Sequence, residues 1–238
     1  MLDSPSMPPR RVLQALVVTG ATLILGPLAI LLCPWNRHGP LFVRLARVWS
    51  GWLFRAAGLR LEIGGATNVP ADRAVALLAN HVSLLDPPAL MLAIPGNFRI
   101  VAKRSLFLVP IFGQALWAAG IIPIDRRRRE NAIASLDRAA TLLRGGLSVL
   151  LFPEGTRARS GGLQPFKKGP FVLALQAGVD IVPVIVRGTR EALPKATLFA
   201  RPGVVRVDFL PPVPTAHLTL ADRDRLMAEV HARMSAVS

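Results

Sequence analysis

Between Val12 and Cys33 the chain reads VLQALVVTGATLILGPLAILLC, 22 residues without a charge. Wound as a helix, this run spans roughly 33 Å, against a bilayer hydrocarbon core about 30 Å thick. Such a segment has to be shielded from water, and it reads first as a single transmembrane helix. A cleavable signal peptide fits poorly, because the run is long and Pro34-Trp35-Asn36 lacks the small residues of a cleavage site. Gly26-Pro27 lies inside the run, and an interior proline predicts a break or a kink. A second apolar stretch, LFVRLARVWSGWLFRAAG, follows from Leu41 to Gly58. Its Arg44, Arg47 and Arg55 recur at spacings that leave Leu41, Leu45, Val48, Trp52 and Leu53 to share the opposite face. That pattern describes an amphipathic helix at a membrane interface, and it also suits a helix packed on a core. Arg10 and Arg11 precede the first run; Arg37, Arg44 and Arg47 follow it. The balance slightly favours a cytoplasmic body, and it also allows a hairpin that enters and leaves one leaflet.

Composition narrows the function. Of 238 residues, 52% are hydrophobic and 18% charged, with 29 Lys+Arg against 14 Asp+Glu, a net charge of +15. A chain this apolar is not disordered. The positive excess calls for an anionic partner: nucleic acid, a phospholipid surface or a phosphorylated substrate. Nucleic acid explains the charge but not the apolar N-terminus, and no basic patch interleaved with aromatic residues is visible. The lone Cys33 rules out an intramolecular disulfide. His38, His81, His217 and His231 are scattered without metal-ligand spacing, so no metal site is expected.

After Gly58 the pattern changes. Apolar runs at Leu59–Ile63, Ala74–Ala79, Phe98–Ala102, Gly120–Ile124, Leu147–Phe152, Ile181–Val186 and Val204–Phe209 read as strands. Helices are expected at Glu130–Arg144, with Gly145 as its stop, at Gly169–Ala177, stopped by Gly178, and at Thr219–Met234, opened by a Thr219/Asp222 capping box. Short apolar strands alternating with helices predict an α/β fold with a mostly buried mixed sheet flanked by helices. The expected division is a membrane-embedded helical pair over residues 1–58 and an α/β domain over residues 59–238.

Three turns after strands carry candidate chemistry. The first is Asn80-His81-Val82-Ser83-Leu84-Leu85-Asp86-Pro87-Pro88. On one regular helix His81 and Asp86 would stand about 140° apart. A strand-to-helix loop can bring them together. Two readings fit. In one, Asp86 only caps the following helix and His81 is an ordinary loop residue. Alternatively, the carboxylate holds one imidazole nitrogen and leaves the other as a general base. No GxSxG elbow is present, and Ser83 is the only serine near enough to His81 to be considered a nucleophile. The second turn is Phe152-Pro153-Glu154-Gly155-Thr156-Arg157. It reads either as a surface Glu–Arg pair or as a phosphate site in which the Arg157 fork engages two oxygens. The third group is basic: Lys103 and Arg126 directly follow strands, and in an open α/β sheet ligands bind beyond the carboxyl ends of the strands.

These residues resemble the glycerolipid acyltransferases, closest in pattern to the 1-acylglycerol-3-phosphate acyltransferase family. NHVSLLD is similar to the family's H-x4-D motif, and FPEGTR with Phe166-Lys167-Lys168-Gly169 beyond it is similar to its E-G-T-R block. AKRSLFLVPIFGQALWAAGIIPIDR, from Ala102 to Arg126, resembles the intervening block, and Ile181-Val182-Pro183-Val184 the last proline-bearing strand. The resemblance implies His81 as general base and Asp86 as its partner. It implies that Glu154, Gly155, Thr156 and Arg157, with Lys103 and Arg126, bind the acceptor, and that Pro183 shapes the donor site. It also implies a membrane-planted N-terminal helical pair. The implied reaction moves an acyl chain from acyl-CoA or acyl-ACP, a co-substrate and not a cofactor, to the sn-2 hydroxyl of 1-acylglycerol-3-phosphate, giving phosphatidic acid. Sibling acceptors are another lysophospholipid, a lyso-ornithine lipid or glycerol-3-phosphate. A peripheral protein that only binds anionic lipid is the non-enzymatic alternative. The expected location is a membrane, with the catalytic domain on its cytoplasmic face.

Overall fold

The computed structural model describes residues 9–125, 128–158 and 162–237. Seven strands form one mixed sheet: β1 (Leu59–Gly64), β2 (Ala76–Ala79), β3 (Phe98–Lys103), β4 (Ile122–Ile124), β5 (Ser148–Leu151), β6 (Ile181–Arg187) and β7 (Gly203–Phe209), in the order β1-β7-β6-β2-β5-β3-β4. The five from β6 to β4 run parallel; β7 lies antiparallel to β6, and β1 parallel to β7. β2 and the first six residues of β6 are buried throughout, so their sequences are unbroken apolar runs, as expected of strands covered on both faces. At the edge, β1 buries only Leu59 and is otherwise half-buried or exposed.

The period of two divides the core. Leu77 and Ala79 of β2, Val182, Val184 and Val186 of β6, and Ile100 and Ala102 of β3 face one side. There they meet helices α1 (Pro9–Leu32), α2 (Leu41–Ala57), α3 (Asp86–Ala93) and α4 (Phe112–Ala118). Ala76 and Leu78, Ile181 and Ile185, and Val101 face the other side. That side is covered by α5 (Arg129–Arg144), α6 (Gly169–Ala177) and α8 (Arg223–Ser235), while the short α7 (Thr189–Ala192) follows β6. The Thr219/Asp222 capping box forms, with the Thr219 N–H donating to Asp222 Oδ2 at 2.9 Å. α5 ends at Arg144 with Gly145 as its cap, where the sequence signal puts its stop; the left-handed position falls one residue further on, at Gly146 with φ +84°.

Two details of the N-terminal segment go beyond its sequence pattern. α1 runs through Pro27 without a break. Around the proline the helix is held from outside: Gly26 lies so close to Ile111 that a Cβ would stand 2.4 Å from its Cγ2, and Ala29 and Cys33 sit in the core. On α2, Arg47 does not face outward with Arg44. Its guanidinium donates to the carbonyls of Met91, Ile94 and Gly96 at 3.2, 2.6 and 2.9 Å, tying off the end of α3. The apolar stripe of α2 splits accordingly. Leu41, Leu45 and Leu53 pack on the core, whereas Val48 and Trp52 stay exposed.

A buried cation completes this face. Arg99, in the middle of the apolar FRIVA strand, is fully buried, and every one of its N–H groups is used. Nε donates to Ala119 O (2.8 Å), Nη1 to Asn97 Oδ1 (2.9 Å) and Phe98 O (2.7 Å), and Nη2 to Arg37 O (2.8 Å) and Gly39 O (2.9 Å). Burial lowers its pKa to about 10, so it remains charged at neutral pH. It binds the turn between α1 and α2 to β3 and to the end of α4.

Candidate functional site

Because β6, β2, β5, β3 and β4 are parallel, the residues that follow them gather along one edge of the sheet. In spatial order these are Thr189 after β6, His81 after β2, Glu154 to Arg157 after β5, and Lys103 at the end of β3. Neighbouring strands lie about 4.8 Å apart, so this edge is a compact row.

At its centre the loop from His81 to Leu85 is not helical, and α3 begins only at Asp86. That turn closes the angular gap a regular helix would leave. His81 Nδ1 and Asp86 Oδ2 stand 2.7 Å apart. The same carboxylate oxygen accepts the backbone N–H groups of Val82 (2.7 Å) and Ser83 (2.8 Å). Asp86 is fully buried and does not cap its own helix; its oxygens are turned back on the preceding loop. The other oxygen, Oδ1, accepts the hydroxyl of Thr189 at 2.5 Å. With Nδ1 held by a carboxylate, Nε2 is left as the working nitrogen. The imidazole is fixed from below by stacking on Phe152, with centroids 4.1 Å apart.

Ser83 is excluded as a nucleophile by its position. It is 1% exposed, and its Oγ donates to Leu193 O at 3.0 Å and accepts from Leu85 N. Asn80 is spent on structure as well, exchanging two hydrogen bonds with the backbone of Val186 (3.0 and 2.7 Å).

Glu154 joins the two motifs. It is 2% exposed; its Oε1 accepts the backbone N–H of His81 at 2.7 Å and its Oε2 that of Gln164 at 3.2 Å. The loop is stitched a second time by Ala158 N donating to His81 O at 2.8 Å. Burial raises the Glu154 pKa to about 7, with the negative charge of Asp86 adding to the rise and the two backbone N–H groups opposing it. Gly155, at φ +75°, makes the turn in a conformation that side chains with a Cβ rarely adopt. Thr156 is exposed and Arg157 half-buried.

Lys103 is exposed, on the same edge and two strands from His81. Arg126, expected beside it, lies outside the described residues. Pro183 is buried within β6, opposite Leu78 of β2. A pocket of about 290 Å³ opens next to the loop, and its lining includes Asn80, Val82, Glu154, Arg187, Arg190 and Glu191. Thr189, Arg187 and Arg190 were not singled out in the sequence. Only their position at and just after the end of β6, which pairs with β2, marks them. Among the described residues no three His, Cys, Asp or Glu side chains come together as metal ligands.

Residues 60–187 match the family model described as Acyltransferase. The chain is 37% identical over 213 residues to the human 1-acyl-sn-glycerol-3-phosphate acyltransferase alpha, an alignment covering 87% of this chain and 75% of that one. It is 35% identical over 211 residues to the 1-acyl-sn-glycerol-3-phosphate acyltransferase of Limnanthes douglasii, covering 87% and 73%. In fold it is similar to the crystal structure of the 1-acyl-sn-glycerophosphate (LPA) acyltransferase PlsC from Thermotoga maritima. The TM-score is 0.79 at 22% identity, over 95% of this chain and 94% of that one.

Proposed function

This chain belongs to the acyltransferase family of the 1-acyl-sn-glycerol-3-phosphate acyltransferases, and on that premise we propose that it acylates the sn-2 hydroxyl of 1-acylglycerol-3-phosphate, with acyl-CoA or acyl-ACP as donor. The observation that carries the mechanism is the His81 Nδ1–Asp86 Oδ2 pair at 2.7 Å. The buried carboxylate fixes the tautomer and stabilises the imidazolium that forms. With Ser83 bonded inward, the attacking group is the hydroxyl of the acceptor itself. His81 Nε2 takes its proton, the oxygen attacks the thioester carbonyl, and the tetrahedral intermediate collapses with loss of the thiolate. The imidazolium then returns the proton to the sulfur. Phosphatidic acid and the free thiol carrier are the products, and the step as written needs no metal or redox group. Lys103, Arg157 and Arg126 are the proposed holders of the acceptor phosphate, because their strands end on one edge.

The membrane supplies the acceptor, and the body, residues 59–238, is proposed to lie on its cytoplasmic face with residues 1–58 as the membrane-associated segment. α1 is long and apolar enough to cross a bilayer. It is nevertheless fastened to the rest of the chain along its length. Gln14 exchanges hydrogen bonds with Ala200 at 2.8 and 2.9 Å, Thr22 Oγ1 accepts from Trp49 Nε1 at 3.1 Å, and Gly26 touches Ile111. A helix held in this way along roughly 36 Å lies beside the body and not through the far leaflet. Its outward residues, Leu16, Ile24 and Leu31, each 60% exposed or more, are then the ones in lipid.

The test is His81→Ala, assayed for acyl transfer with purified protein in mixed micelles against a panel of lysolipids and glycerol-3-phosphate. A loss of about 10²–10⁴-fold is expected, the usual contribution of a general base. Near-normal turnover overturns the mechanism, and preference for an acceptor without a phosphate overturns the substrate assignment.

A further inference from the structure

The segment after β3 presents an apolar tip that the reaction does not use. From Arg104 to Leu108 the chain makes a short 3-10 turn, then leads through Val109, Pro110 and Ile111 into α4. Leu108 is 82% exposed, and Val109 and Leu106 are exposed beside it. Single exposed leucines are common on protein surfaces. Three apolar side chains on one short built turn are not, because water opposes each of them.

The tip is held rigidly. Phe107 turns inward, packs on the core and meets Trp117 edge-to-face with centroids 6.3 Å apart. Gly113 comes so close beneath it that a Cβ would stand 2.3 Å from the Phe107 carbonyl oxygen. Ile111 adopts φ +64°, a strained conformation for a β-branched residue, and it does so where it seats against Gly26 of α1. The inward side chain, the close glycine and the strained residue together hold Leu106, Leu108 and Val109 outward.

Two features identify what covers the tip. It adjoins α1 through Ile111, which seats against Gly26 on the body-facing side of that helix, so the tip lies beside the helix whose outer side is assigned to lipid. It is also preceded by two exposed cations, Lys103 and Arg104, with Asp125 3.9 Å from Arg104 as the nearest acidic partner. Apolar side chains beside basic ones match the acyl region and the phosphate layer of an anionic leaflet. We propose that Arg104–Ile111 is a second lipid-inserting element, with Leu106, Leu108 and Val109 in the acyl region of the leaflet that holds α1 and Lys103 and Arg104 at its phosphate plane. Lys103 then meets the phosphate of a lysolipid at the depth where that lipid already lies, so the acceptor reaches the row of site residues without leaving the leaflet.

This inference rests on the reading of α1 as a lipid-facing helix, and the experiment separates the two. Single cysteines replace Leu108, Ile24 on α1, and Thr141, exposed on α5, in a Cys33→Ala background. Each is labelled with an environment-sensitive fluorophore and mixed with phosphatidylcholine/phosphatidylglycerol vesicles carrying chain spin labels. The expected result is blue-shifted, quenched emission at positions 108 and 24 and no change at 141. Lipid contact at 24 with water at 108 overturns the second element and leaves α1 standing. Water at both positions overturns both. In the otherwise native chain, Leu108→Asp is expected to weaken vesicle binding by about tenfold or more, since it removes one buried leucine. Unchanged binding overturns the proposal.

Discussion

The two ends of the parallel strands each bury an ionisable side chain, and they treat it differently. At the end where β3 starts, Arg99 is fully enclosed, and its five N–H groups meet five acceptors, none of them a carboxylate. At the end where β5 stops, Glu154 is as deeply buried, and that burial, with a smaller push from the nearby Asp86, raises its pKa to about 7 against the two backbone N–H groups it accepts. A buried charge whose hydrogen bonds are complete behaves as a structural joint. One whose charge is left partly uncompensated stays titratable near neutral pH, and here it sits behind His81.

The largest stability effect that would break this comparison is at Arg99. Arg99→Ala leaves five acceptors without their donor, and a loss of about 3 kcal/mol or more in unfolding free energy is expected. Turnover per folded molecule should change little. Thermal unfolding in detergent and a parallel acyl-transfer assay would check both, and a collapse of turnover without loss of stability would put Arg99 in the site.

Glu154→Gln comes next. Because the native state raises this pKa from 4.5 to about 7, it binds more protons than the unfolded chain between those values. Stability of the native protein therefore falls as pH rises through that window, by about 3 kcal/mol from this group. The variant lacks this slope, so the difference between the two unfolding curves should change steadily from pH 4.5 to 7. A constant difference would show that Glu154 titrates as an ordinary acid.

Thr189→Val tests the support of the dyad. It removes the hydroxyl from Asp86 Oδ1 without changing volume much, and a loss of about tenfold in kcat with KM unchanged is expected. Thr189→Ser should restore the rate, which a purely packing role would not predict. The smallest effect is set for Arg157→Ala. Loss of one exposed-side phosphate contact should raise KM for the lysolipid several-fold, by about 1 kcal/mol, with kcat little changed. Movement of only the acyl donor's KM would assign Arg157 to the other substrate.

Much of the fold was legible because its signals are local. The apolar runs marked every strand, Gly178 marked the end of α6, and Thr219 with Asp222 marked the start of the last helix. At the site, the spacing of His81 and Asp86 and the block from Glu154 to Arg157 were visible as candidates. Their partners were not. Thr189 reaches Asp86 only because β6 pairs with β2, and the loop that follows brings it back over a gap of 103 residues. The arginine of FRIVA reads as a blemish in an apolar strand until the α1–α2 turn closes over it with two carbonyls. Arg47 reads as one more basic residue on an amphipathic helix until α3 ends beneath it.

By itself, then, the sequence determined which stretches are strands and which are the longer helices, which end of the chain is apolar enough for lipid, and which residues are candidates for acid–base chemistry. Each of those follows from side-chain period and residue type within a dozen positions. The tertiary structure decided the strand order, the inward turn of Ser83 and Asp86, the role of Glu154 as a link between two loops, and the fastening of α1 along the body. These depend on pairings across tens to hundreds of residues, where hydrogen-bond geometry and burial, and no local preference, select the partner.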